Sequence, residues 1–423
     1  MYRKVTVMNF FRILLITSAI LTGILGAGAE ERDSVEAEWI SRRKAVSFLG
    51  ADLRADYPFS SYLDDVLGES LDMSDARYSR FASSLHLRYG FAFTSDDPAG
   101  RLYPGVWQGA GASVNLFHYP SSTGVPVSIY LLQGAPIVDF SPRCNLFYEW
   151  NFGVSAGWHP CDGIIGRSNL IIGSRVNAYI NLNLGLRWRL SRVWSLVAAL
   201  DLTHFSNGNT SFPNPGVNLG GVRVGVERSF GPMPEGTPFR NPSDNFMPPH
   251  RVSFDLTAYG AWRKRVYRGG EKPVLLNGHY AIAGLGFAPM LELKRWLRAG
   301  VSADFQFDDS SDLRRQYISG SAPDDIRFSK GSIFRKIGIG ISARGELVMP
   351  FVSLNVGIGY NFIGPYEARA SYQLANLKLY ITRSLFLNIG YQLQDFQRQN
   401  NLMLGLGYTF RSSRAACSSL SGR

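Results

Sequence analysis

The sequence predicts an all-β protein, a transmembrane antiparallel β-barrel of about sixteen strands, and three observations predict it. Apolar and polar residues alternate strictly over segments of ten residues or more. Aromatic residues gather near both ends of those segments, as they do where a tilted strand meets the two faces of a bilayer. Beyond the first thirty residues no stretch holds eighteen consecutive apolar residues, which excludes helical spans. A soluble sandwich alternates too, but its strands usually run to only five or six residues.

The N-terminus reads as a secretory signal peptide over residues 1–29. Arg3, Lys4 and Arg12 flank an apolar run from Ile13 to Leu25 that is too short to span, and Ala27-Gly28-Ala29 supplies small residues for cleavage. No Cys follows the run, so a lipoprotein anchor is not indicated.

The first barrel unit is expected over 30–230. Strands are predicted near 44–56, 81–93, 105–118, 127–138, 146–158, 175–189, 193–206 and 216–230. The clearest is the sixth, where Val176, Ala178, Ile180, Leu182, Leu184, Leu186 and Trp188 alternate with Arg175, Asn177, Tyr179, Asn181, Asn183, Arg187 and Arg189. Its apolar set faces lipid and its polar set the lumen. Before it, Leu146, Tyr148, Trp150, Phe152, Val154, Ala156 and Trp158 form a second lipid-facing stripe.

Residues 231–250 are long and Pro-rich, and read as a linker. A second barrel unit follows over 251–410, with strands near 251–262, 279–292, 295–308, 334–348, 351–363, 374–382, 385–393 and 400–410. Residues 411–423 read as a disordered tail. Two tandem eight-stranded barrels compete with one larger barrel. The bulky charged lumenal residues of the first half (Glu149, Asn181, Arg187, Asp201, Arg223) favour two, because a narrow ring must be filled with paired polar groups. Very short turns at Ser191-Arg192, Lys294-Arg295, Met349-Pro350 and Arg383-Ser384 fall on one side, expected to be periplasmic, which places the loops near 159–173, 207–216, 268–278 and 309–333 outside.

The net charge of +11 suits an anionic membrane surface. Nucleic acid is not an expected partner, since the chain has no basic helix, zinc spacing or aromatic RNA motif. Of the three cysteines, Cys144 and Cys161 bracket one predicted strand. At roughly 3.3 Å per residue they lie on the order of 50 Å apart, too far for a disulfide. His86 and His118 lack ligand partners at useful spacing and read as structural. Glu149 points into the lumen and reads as a partner for arginines. Tyr103-Pro104-Gly105-Val106-Trp107-Gln108-Gly109 reads as an interfacial anchor.

One constellation can carry chemistry. Leu202-Thr203-His204-Phe205-Ser206-Asn207-Gly208 precedes Pro213-Asn214-Pro215-Gly216-Val217-Asn218. Trp194, Leu196, Ala198, Leu200 and Leu202 are lipid-facing, so alternation carries His204 and Ser206 onto the same outer face, with Asp201 and Thr203 in the lumen. Residues at i and i+2 on one strand lie about 6.5–7 Å apart, within reach of an imidazole and a hydroxyl. Val222, Val224 and Val226 on the returning strand put Asn218 on that face too. A wet barrel rim often carries such residues without any chemistry.

Here the chain resembles the lipid A 3-O-deacylase (PagL) family, also called acyloxyacyl hydrolase-like. His204-Phe205-Ser206-Asn207 and Pro213-Asn214-Pro215-Gly216 match its His-x-Ser-Asn element and its Pro-Asn-x-Gly loop in order and spacing. The resemblance spans about 44–230 and is motif-grade over 202–226; the eight-stranded members offer no counterpart for 251–410. It implies an integral protein of the bacterial outer membrane, whose partner is lipopolysaccharide in the outer leaflet. It implies a carboxylic ester hydrolase that removes an acyl chain from lipid A with no cofactor or metal. Ser206 would be the nucleophile, His204 the general base, and Asn207 and Gly208 the oxyanion donors. Asn218 stands where the family pattern has an acidic residue. The alternative is therefore a catalytically inactive barrel that binds lipopolysaccharide as a scaffold or acts as a pore.

Overall fold

The computed structural model describes residues 44–59, 81–117, 123–160, 172–211, 216–240, 251–264, 266–267, 274–276, 278–311, 313–316, 327–330, 332–364, 370–396 and 398–411. The signal peptide, the tail beyond Arg411, His118, Cys161, Cys417 and Asn214 lie outside them.

Eight strands form a first closed ring: β1 (Ala45–Phe59), β2 (Ala82–Phe93), β3 (Trp107–Phe117), β4 (Gly124–Ser141), β5 (Cys144–Trp158), β6 (Val176–Arg189), β7 (Trp194–Ser206) and β8 (Val217–Ser229). Each pairs antiparallel with its neighbour, and β1 closes on β8. The second half adds β9 (Val252–Arg263), β10 (Val266–Tyr267), β11 (Val274–Leu275), β12 (Tyr280–Lys294), β13 (Leu297–Asp308), β14 (Leu313–Gln316), β15 (Arg327–Lys330), β16 (Ile337–Met349), β17 (Val352–Ile363), β18 (Ser371–Tyr380), β19 (Leu385–Gln394) and β20 (Arg398–Arg411). Of these, β9, β12, β13 and β16 to β20 form a second closed ring, sealed where β20 pairs with β9. The sixteen ring strands make two eight-stranded barrels, and the single larger barrel is not formed. β10–β11 and β14–β15 are small hairpins within two expected loops. Both rings belong to one compact unit, Val46–Arg423.

The exterior is apolar. Leu53, Leu87, Ile129, Leu182, Leu200, Val224, Leu285 and Ile358 are each at least half exposed. In water such a surface would be strongly unfavourable; in hydrocarbon it is the expected one. The first lumen is the reverse. Arg88 bonds Asp52, Glu149 at 3.1 Å and Glu227 at 3.0 Å, while Arg223 bonds Glu149 at 2.7 Å and Asp52 at 3.2 Å. Arg54 pairs with Asp201 at 2.9 Å. Desolvating these ions is tolerable only because each charge meets an opposite one. Glu149 thus sits in the lumen between two guanidinium groups, and His86 is held there by Ser84 and Tyr130, both at 2.9 Å. Cys144 is a free thiol.

Three expectations are corrected. Trp158 does not continue the lipid-facing stripe of β5. Gly157 has φ +96, the alternation flips there, and Trp158 turns inward with its Nε1 donating to Ser155 Oγ at 3.0 Å. The middle of that stripe is covered by protein, since Trp150 is buried against Val352 and Leu377 of the second ring. The Tyr103–Gly109 segment is no membrane anchor either. Trp107 is fully buried and donates to Glu149 at 3.0 Å, and the Tyr103 hydroxyl donates to the Arg295 carbonyl at 3.2 Å in a cluster with Trp296 and Met349. An aromatic at a strand end marks an end, but does not say which face is covered. Just before it, Pro98–Leu102 forms a one-turn helix capped by Asp97, whose side chain accepts from the Ala99 N–H at 2.8 Å; the alternation gave no sign of it.

Candidate active site

The site is built where β7 ends and β8 begins. Along β7 the side chains of Val197, Ala199, Asp201, Thr203 and Phe205 are buried inside the ring, while Leu196, Leu200 and Leu202 are exposed outside. Phe205 pins this parity. Its ring lies 4.9 Å from that of Trp158 and 5.3 Å from that of Tyr179, closing the end of the lumen with aromatic packing. With Phe205 held inward, pleating sends His204 and Ser206 outward.

His204 stands directly opposite Asn218 in the β7–β8 register. The imidazole Nδ1 lies 2.7 Å from Asn218 Oδ1. With the carboxamide oxygen as acceptor, Nδ1 carries the proton and Nε2 is left with a lone pair. On the other side β6 supplies apolar neighbours: Ile180 is opposite His204, and Ala178 opposite Ser206. A charged imidazole would be poorly solvated there, while an acyl chain would find apolar surface.

Gly216 closes the site from above. Its φ is +79, and a Cβ on it would stand 2.9 Å from His204 Cε1 and 3.5 Å from Ser206 Cβ. Glycine is needed twice over, for the left-handed backbone and for the close approach. That one point touches both side chains fixes them as neighbours. Pro213, Asn214 and Pro215 of the same motif lie outside the described residues.

After Ser206 the chain turns sharply through Asn207, Gly208 (φ 62) and Asn209 (φ 67). Asn207 carries the turn: its carbonyl accepts from the Thr210 N–H at 3.2 Å and the Thr210 hydroxyl at 2.8 Å, and its side-chain oxygen from the Ser211 N–H at 3.4 Å. Asn207, Ser206 and Gly208 are all buried. The structure thus brings His204, Ser206, Asn207, Gly208 and Asn218 to one end of β7 and β8. Sequence reasoning missed Phe205 as the residue that sets the facing, and it missed the contacts the second ring makes with this turn.

Two closed rings, apolar outside and ion-paired within, define an integral β-barrel protein of the bacterial outer membrane. Residues 84–227 match the family described as lipid A 3-O-deacylase (PagL), and residues 252–412 match the one described as acyloxyacyl hydrolase, C-terminal domain. Over these two stretches the chain is similar to the lipid A deacylase family. No curated protein matches it. Among solved structures, the outer membrane enzyme PagL is 15% identical, over 42% of this chain and 97% of that one, with a TM-score of 0.26. The siderophore receptor PirA from Acinetobacter baumannii is 8% identical, over 83% of this chain and 68% of that one, with a TM-score of 0.23.

Proposed function

We propose that the protein is an outer-membrane serine esterase that hydrolyses an ester-linked acyl chain of lipid A. One observation carries the reading: the His204–Asn218 hydrogen bond on the outer face of the barrel, with Ser206 one outward position further along the strand. The match of residues 84–227 to the lipid A 3-O-deacylase model supports the substrate class.

In this mechanism Nε2 of His204 takes the proton of the Ser206 hydroxyl as Oγ attacks the ester carbonyl. The carbonyl oxygen becomes an oxyanion beside the turn, where Asn207 and the Gly208 N–H supply donors. The bond to the sugar-side oxygen breaks, and the imidazolium returns its proton to that oxygen. A water molecule, activated by the same imidazole, then releases the fatty acid and restores Ser206. Asn218 orients the ring throughout without adding charge. Ala178 and Ile180 face the acyl chain, so the substrate never leaves the outer leaflet.

The alternative of a pore gains no support from the first lumen, which Arg88, Arg223 and their carboxylate partners fill. The deciding experiment is mass spectrometry of lipid A from cells with and without the protein. Loss of one acyl chain, abolished by Ser206→Ala and by His204→Asn, is the expected result. Lipid A of unchanged mass in all strains would leave the inactive scaffold as the reading.

A further inference from the structure

The second ring has no part in the mechanism above, yet it touches the catalytic turn at three points. Leu402 on β20 occupies the space that a Cβ on Gly208 would need. The Lys264 N–H, one residue past β9, donates to the Asn209 carbonyl at 2.8 Å. His279, one residue before β12, lies beside the Thr210 backbone. The three come from far apart in sequence but from one place in the ring, because β9 pairs with β20 on one side and β12 on the other. A single patch of the second barrel therefore grips three successive residues of the turn that follows Ser206.

The turn has reason to need a grip. Asn209 is at positive φ, a conformation asparagine tolerates better than other side-chain-bearing residues and that contacts to the turn help to hold. An oxyanion donor acts only if it is aimed before the reaction begins, and a displacement of about 1 Å can lower the rate on the order of a hundredfold. Leu402 belongs to the outward set of β20, like Leu404, which is 37% exposed, but its side chain is turned to protein instead of lipid.

Resting on the proposed esterase reading, we infer that the second barrel is a positioning element for the oxyanion turn of the first, with Leu402 as its principal positioning residue. Its patch holds Gly208 and Asn209 in their left-handed conformations, so that the donor near Ser206 is already in place when the ester arrives. Leu402 touches neither substrate nor reacting atoms and acts through Gly208.

The test uses the full-length protein in detergent micelles with purified lipopolysaccharide, following fatty-acid release. Leu402→Ala is expected to lower kcat about tenfold with KM within about twofold, since the turn loosens while the acyl surface stays. Leu402→Met, of similar volume, restores most of kcat, and His279→Ala lowers it in the same sense. Leu285→Ala, a lipid-facing leucine of the same ring, serves as the control and leaves kcat unchanged. Retention of heat-modifiable migration shows that each variant is folded. A Leu402→Ala enzyme as fast as Leu285→Ala overturns the inference while the esterase stands. An unmodified protein that releases no fatty acid overturns both.

Discussion

Asn218 lies directly across the β7–β8 ladder from His204 and accepts a 2.7 Å hydrogen bond from its imidazole. A neutral carboxamide fixes which ring nitrogen carries the proton, but it does not stabilise the imidazolium formed when Ser206 is deprotonated. Hydrogen bonds to charged acceptors are roughly twice as strong as neutral ones. Asn218→Asp is therefore expected to raise kcat about tenfold, corresponding to roughly 1.4 kcal/mol, and Asn218→Leu to lower it by at least as much. Initial rates of fatty-acid release from lipopolysaccharide measure both. An Asp variant no faster than the parent removes the orienting role from this position.

Gly216 has no room for a side chain. A Cβ would meet His204 Cε1 at 2.9 Å from a backbone at φ +79. Gly216→Ala is expected to push the imidazole away from Ser206 and lower kcat by about a hundredfold, in line with a misplacement near 1 Å. The barrel should still migrate as a folded species, because the residue lies before β8 and outside the ring ladder. A variant with parental kcat would mean that the ring position is not set from this side.

Glu149 joins Arg88, Arg223 and Trp107 in the first lumen. Glu149→Ala would leave two buried guanidinium groups short of a counter-ion and is expected to cost about 3–5 kcal/mol. The midpoint for loss of the compact gel band should fall accordingly. Catalysis per folded molecule should not, since the carboxylate is on the far side of the barrel wall from His204. Loss of kcat without loss of stability would contradict that placement.

Leu182 is half exposed on the outer face of β6. An Arg there would sit in hydrocarbon, at about 2–4 kcal/mol near the bilayer midplane. Leu182→Arg should reduce assembly in membranes, read as a smaller heat-modifiable fraction. Asn183→Ser, one residue on and lumenal, should perturb it less. Equal effects would argue against a lipid-facing wall.

Much of this was legible because pleating has a period of two. Alternation along β6 and β7 places Ile180, Leu202, His204 and Ser206 outside without any knowledge of partners, and the valines of β8 do the same for Asn218. The parity holds only while the ladder is regular. At Gly157 a positive φ shifts the phase by one, and Trp158, apolar and in the right register for lipid, turns inward to pack on Phe205. Nothing in a stripe says what covers it, so Trp150 reads the same whether it meets acyl chains or Val352. The grip of Leu402 on Gly208 joins residues almost two hundred positions apart, and neither local sequence hints at the other. Strand existence is written locally; contact between two finished rings is not.

The closure of β1 on β8 and of β20 on β9 means that no backbone ladder joins the halves of this molecule. Among the described residues, the ties between the cylinders are made by side chains and by loop backbone at their flanks. Two polypeptides cut between Ser229 and Val252 would each be hydrogen-bonded all the way round, and could meet again in the plane of the bilayer like paired subunits.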